Sequence, residues 1–222
     1  MKLHGRMVSI PMAGLIFILI LGGCGELKNE YPQRGFFHIH LPSTMEGECP
    51  VGPRVFHLAA LPEFDTEFFI YQLSPGQFTP DFYTLFSASP AGILTEEIRK
   101  SVRNHFCDKD FDDIRDFLAI RGRLLALYAD FTQGSQAVMA LELSLETQNA
   151  SIILPPRRYD ARFPIPSPHP EDIIQGWSQC LGHILKGFYG DTDLEIPNFR
   201  MREAKVERLI PAARAAQVMF QL

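Results

Sequence analysis

The chain has 222 residues, 46% of them hydrophobic and 21% charged, with a formal net charge of −5 at neutral pH. That length and apolar content suffice for one domain with a real core. The acidic balance argues against nucleic acid as a partner, which selects a concentrated basic surface, and the four cysteines show no C-x-x-C spacing of a zinc site.

The chain opens with Lys2 and Arg6, then an apolar run from Met7 to Leu21, then Gly22 and Gly23. As a helix this run reaches roughly 22 Å, short of the ~30 Å hydrocarbon core. Its basic start, apolar centre and small-residue end predict an export signal over residues 1–23. The final residues, "LGGC" from Leu21 to Cys24, resemble the bacterial lipobox, whose cysteine is acylated and becomes the mature N-terminus. Cys24 is thus the expected lipidation site, carrying acyl chains such as palmitate. Gly25 follows it in place of the Asp that retains such proteins at the inner membrane, so the expected destination is the periplasmic face of the outer membrane. Without residues 1–23, the remaining 199 residues carry 19 Lys and Arg against 26 Asp and Glu, a formal charge of −7.

Residues 24–34 have no apolar period and read as a tether. "GFFHIHL" (Gly35 to Leu41) alternates as a strand, "STMEGECPVG" is a loop, and "PRVFHLAAL" is a second strand. "EFFIYQL" and the "SPGQ" turn signal predict a hairpin from Phe68 to about Phe82. Ser89 and Pro90 then start a helix whose apolar face is Leu94, Ile98, Val102 and Phe106, with Glu96 and Glu97 near its positive end.

"FLAIRGRLLALYADF" (Phe117 to Phe131) reads as a long strand. In "AVMALELSLET", Met139, Leu141, Leu143 and Leu145 alternate with Ala140, Glu142, Ser144 and Glu146, a half-buried strand. Gly134 lies between them, so an antiparallel hairpin is expected, with "SIILPPRRYDARFPI" returning as a third strand interrupted at Pro155 and Pro156. The clearest helix follows, with Ile173, Ile174, Trp177, Cys180, Leu181, Ile184, Leu185 and Phe188 on one stripe and Gly190 as its stop. Residues 191–222 form a basic tail, with Val206, Leu209 and Ile210 on a helical face that Pro211 interrupts. Its Arg200, Arg202, Lys205, Arg208 and Arg214 suit an anionic surface, or else the tail packs on its own domain. The sum is an α+β fold: an antiparallel β-sheet with two main helices packed on one face.

No G-x-S-x-G, H-E-x-x-H, Walker loop or dinucleotide fingerprint occurs, so the expectation is a protein that is not an enzyme and needs no cofactor. His38 and His40 would share one face of a strand and can ligate a metal with a third group, although two histidines on an edge strand are commoner than a site. No metal is therefore expected. Asp108, Asp110, Asp112 and Asp113 lack the glycine and terminal glutamate of a calcium loop and read as a solvated turn. His183 has no nucleophile in view and reads as structural. With Cys24 acylated, Cys49, Cys107 and Cys180 remain, and Cys180 falls on a buried stripe. Three isolated thiols are favoured over a Cys49–Cys107 bridge.

Seven aromatics, Phe68, Phe69, Tyr71, Phe78, Phe82, Tyr83 and Phe86, crowd into 19 positions. Core packing accounts for such density most simply, but a sheet so rich in rings can also expose an apolar surface for an acyl chain or partner. The candidate contact residues are Phe69, Tyr71, Phe78, Phe82, Tyr83, Phe86 and Tyr128.

The order of these motifs resembles the ABC-type transport auxiliary lipoproteins, which include the paraquat-inducible protein C lipoproteins. The residues are Ile70, Tyr71 and Gln72; then Asp81, Tyr83 and Phe86 of a D-x-Y-x-x-F pattern; then Pro90; then Leu127 to Phe131, "LYADF". Gln72 replaces the usual Arg and Ala129 the usual Gly, so no role of that Arg carries over. The resemblance covers residues 35–190 and leaves the tail outside. It implies an outer-membrane lipoprotein that docks an MCE-domain protein bridge, served by ABC transporter subunits, and handles phospholipid while the membrane holds it by its lipid anchor. Relatives assemble as rings, which makes a homo-oligomer an open expectation. The alternative is a structural outer-membrane assembly lipoprotein that binds no lipid.

Overall fold

The computed structural model describes residues 33–42, 52–107, 118–147 and 149–219, excepting the side chains of 107 and 202–219. The signal segment, Cys24, most of the tether, Cys49 and the acidic run at 108–113 lie outside the described residues. Residues 34–222 form one compact unit.

The strands are β1 (Gly35–Phe37), β2 (Arg54–Val55), β3 (Ala59–Ala60), β4 (Phe68–Ser74), β5 (Gln77–Phe86), β6 (Leu118–Asp130), β7 (Gln136–Thr147) and β8 (Ile152–Pro164). Helix α1 spans Pro90–Cys107 and α2 spans Pro170–Met219, and a 3-10 turn covers Pro62–Phe64. The sheet order is β1-β5-β4-β6-β7-β8, with β2 and β3 also pairing with β6. Among the described residues no helix is long and apolar enough to cross a membrane.

The fold is α+β, but the sheet is mixed where the sequence predicts an antiparallel one. The β4–β5, β6–β7 and β7–β8 hairpins are antiparallel, as local turns require. β1 pairs in parallel with β5, and β2, β3 and β4 in parallel with β6. Parallel neighbours need a crossover, and α1 lies in the connection that carries the chain from the β4–β5 hairpin to β6. The predicted strand at 53–61 is two short pieces laid along β6, where Phe56 and Leu61 donate backbone hydrogen bonds to Ile120 and Leu124.

Pro155 and Pro156 do not interrupt β8. They sit where the β7–β8 register slips between Leu143 and Leu145, on a strand that among the described residues has β7 as its one neighbour in the sheet. A bulge on an edge strand tolerates residues that cannot donate to the ladder.

The predicted faces of both helices are the ones buried. Leu94, Ile98, Val102 and Phe106 on α1, and Ile173, Trp177, Cys180, Leu181 and Phe188 on α2, are all inaccessible to solvent. The helices touch each other, with the Tyr189 hydroxyl donating to Ser101 Oγ at 2.7 Å and the His105 ring stacked on Tyr189 at 4.0 Å. A Cβ at Gly176 would lie 2.6 Å from the Ala137 side chain, so glycine lets α2 settle directly on β7.

The expected stop at Gly190 is absent, because the buried stripe continues from Phe188 through Thr192 to Ile196 at helical spacing. The Tyr159 hydroxyl also donates to Asp191 at 2.7 Å, and Arg157 pairs with the same carboxylate at 3.1 Å. Pro211 lies within the helical span.

Candidate aromatic surface

The aromatic segment divides into a sealed half and an open half. Phe69 sits against Phe37, Phe86 and Trp177 at ring separations of 5.6, 4.6 and 4.9 Å. The Trp177 indole donates to the Tyr128 carbonyl at 3.1 Å. Phe69 and Phe86 are core, and they pin β4 and β5 beneath α2. Tyr128 is also buried, its ring stacked on Phe64 and met edge-on by Phe78 at 5.0 Å. These three candidates have no surface to offer.

The open half comprises Phe82 (58% exposed), Tyr83 (54%) and Phe78 (42%). The exposure of Phe82 and Tyr83 has a backbone cause, whereas Phe78 stays in the ladder opposite Gln72. Phe69 pairs with Asp81, but Phe68 pairs with Leu85, so Phe82, Tyr83 and Thr84 have no partner on β4; Thr84 is held instead by Gly35 of β1 and is buried, which leaves Phe82 and Tyr83 to bulge outward. In a regular strand two consecutive aromatics would face opposite ways; in a bulge they leave the pleat. Phe82 leans edge-on against Phe68 at 5.1 Å. The neighbouring β1 contributes Phe36, 66% exposed and paired with Leu85 just past the bulge. Sequence reasoning passed over Phe36; its alternation with the half-buried Phe37 was the available signal.

Asp81 holds this bulge in shape. Its carboxylate accepts the Tyr83 N–H at 2.9 Å and the Tyr71 hydroxyl at 3.0 Å. Burial alone pushes the Asp81 pKa up, and hydrogen bonds from Thr84, Tyr83 and Tyr71 more than offset it, leaving the group below its ordinary value. The Tyr71 pKa is raised, first by burial and then by that carboxylate. The D-x-Y-x-x-F spacing thereby acquires a physical meaning: an acid that ties the bulge, a ring on it, and a ring in the core. Asp81→Ala is expected to lower stability by about 2 kcal/mol, because a half-buried hydroxyl and an amide lose a charged acceptor. Asp81→Asn should recover most of that loss, since its amide oxygen still accepts. Denaturant midpoints of the two variants check this.

In the "LYADF" strand, Asp130 accepts Thr132 N–H at 2.9 Å and faces Arg162 at 3.5 Å. Phe131 donates its N–H to the Gln72 carbonyl at 2.9 Å, a backbone link that is indifferent to the side chain at 72.

The remaining sequence candidates fall apart from this surface. His183 is exposed, and its ring meets Phe163 at 5.9 Å. Cys180 is buried against the Ala137 and Ala161 carbonyls, and burial pushes its thiol up to about 12, which leaves it inert at neutral pH. His38 and His40 lie together near Glu97, a third group the sequence did not supply. A cleft of about 510 Å3 runs between the helices, lined by Leu41, Leu185, Tyr189 and their neighbours, and none of the seven candidate contact residues lines it.

A mixed, edge-decorated α+β sheet under two helices defines the class of fold, and solved structures share it. Protein XCC0632 from Xanthomonas campestris, described by the family-model DUF330, superposes with a TM-score of 0.53 at 12% identity, over 72% of this chain and 92% of that one. A second crystal structure, of an uncharacterized protein, gives 0.50 at 13% identity, over 70% and 99%. No family model matches the chain and no curated protein matches it. At these identities the likeness establishes the fold.

Proposed function

We propose that the chain is a lipoprotein of the outer membrane, facing the periplasm, that works without catalysis as a docking and phospholipid-handling component of an envelope transport system built from an ABC transporter and MCE-domain proteins. The observation that carries this reading is the exposed pair Phe82 and Tyr83, displayed by a bulge whose shape Asp81 maintains, with Phe78 half-exposed further along β5 and Phe36 exposed on the adjoining β1. A cluster of exposed rings on a bulge whose backbone a carboxylate ties in place supports a recognition surface. The lipobox-like "LGGC" and the order of the sequence motifs supply the envelope context.

Covering one exposed Phe contributes about 1.5–3 kcal/mol, so the paired bulge residues can hold an acyl chain or an apolar partner segment. Native mass spectrometry of a chain lacking residues 1–24 tests the lipid step. Phospholipid should co-purify with it and be lost in Phe82→Asp/Tyr83→Asp. Equal lipid content in the two chains would refute lipid handling at this surface. That outcome would favour the structural assembly role, which the sealed half of the segment, Phe69, Phe86 and Tyr128, suits better.

A further inference from the structure

We propose that His38, His40 and Glu97 form a site for one divalent metal ion of the zinc or copper(II) class, which clamps the segment leaving β1 onto helix α1. The donor atoms of the three side chains all lie within 4.8 Å of one another. Ile39, between the histidines, is wholly buried, so the two imidazoles share the opposite side of the segment, their ring centres 4.5 Å apart. Glu97 is 2% exposed. Its Oε2 accepts the Leu41 N–H at 2.9 Å, which fixes the segment over the helix, and its Oε1 lies 3.9 Å from His38 Nε2.

Two further contacts fit this chemistry. His38 Nδ1 lies 3.0 Å from Ser87 Oγ, an outer hydrogen bond that orients the ring and leaves Nε2 to face the ion. Lys100 Nζ, on an exposed side chain, lies 2.7 Å from Glu97 Oε1 and serves as counter-ion to the buried carboxylate. A metal ion replaces that ammonium, and Lys100 returns to solvent without disturbing the core. Two imidazoles and one carboxylate suit zinc or copper(II) rather than calcium or magnesium, which take oxygen ligands. Bonds of about 2.0–2.1 Å need the ligand atoms to close by roughly an ångström, a movement open to the exposed His40 ring. Water completes the coordination.

Calorimetric titration of the chelator-treated full chain with zinc chloride tests the site, with the absorption spectrum of added cobalt(II) as a second reading. One equivalent should bind. His40→Ala, a change at an exposed side chain, should abolish that equivalent while the fold is retained. Ser87→Ala should weaken binding about 10-fold or more. Lys100→Ala should tighten it, because the competing cation is gone. Zinc binding equal in the wild type and in His38→Ala/His40→Ala, which keeps the other histidines, would overturn the site. Lys100→Ala binding no more tightly than wild type would overturn the role of Glu97.

Discussion

Trp177→Ala is expected to destabilise the fold by about 3–5 kcal/mol, a large share of the stability of a domain this size. The indole is wholly inaccessible and contacts Phe69 at 4.9 Å and Phe86 at 5.3 Å. It thus joins α2 to the strands that carry the aromatic bulge, and its removal leaves a cavity where three elements meet. Rigid neighbours limit collapse into that space, because α2 at Gly176 already rests on Ala137. The indole N–H is also lost from the Tyr128 carbonyl. Trp177→Phe, which keeps most of the ring, should cost about 1–2 kcal/mol, mainly for that bond. Because this is the chain's one tryptophan, unfolding is followed by far-ultraviolet circular dichroism in urea. A midpoint shift at unchanged slope reads as stability. A loss under about 1 kcal/mol for Trp177→Ala would mean that the helix is not seated as described.

Cys24→Ala is expected to move the protein from the membrane to the soluble envelope fraction and to abolish transport function. Acylation supplies about 0.8 kcal/mol per buried methylene, and one chain alone anchors only marginally while several do not let go. Bacterial lipoproteins typically carry three. Fractionation with a transport assay separates the outcomes: soluble protein with lost transport supports anchoring as essential, and soluble protein with full transport removes it from the account.

Local periodicity made much of the fold legible. The 3.6-residue stripes on α1 and α2 and the alternation from Met139 to Leu145 were sufficient to identify the buried faces, because neighbours along the chain alone create those patterns. The parallel pairings were not legible. β1 meets β5 about fifty positions downstream, and no local turn announces such a contact. A similar distance concealed the role of Glu97, whose backbone donor Leu41 lies 56 positions away in the segment after β1. Gly190 misled because glycine marks a stop only where the apolar stripe also ends, and here it runs on to Ile196. Among the candidate contact residues, aromatic density was visible but its division was not. Phe82 and Tyr83 stand side by side as Phe36 and Phe37 do in unbulged β1, so adjacency alone did not announce the bulge, and the Asp81 bonds that sustain it appear only in three dimensions.

The most direct test places a photo-crosslinking amino acid at Phe82 in the full chain, in living cells, with the same substitution at the exposed His183 as a control on a different element. Mass spectrometry then identifies what is attached. The account predicts an MCE-domain protein or phospholipid joined at position 82 and absent at 183. Adducts at 82 containing only outer-membrane assembly proteins, or the same adducts at both positions, would contradict it.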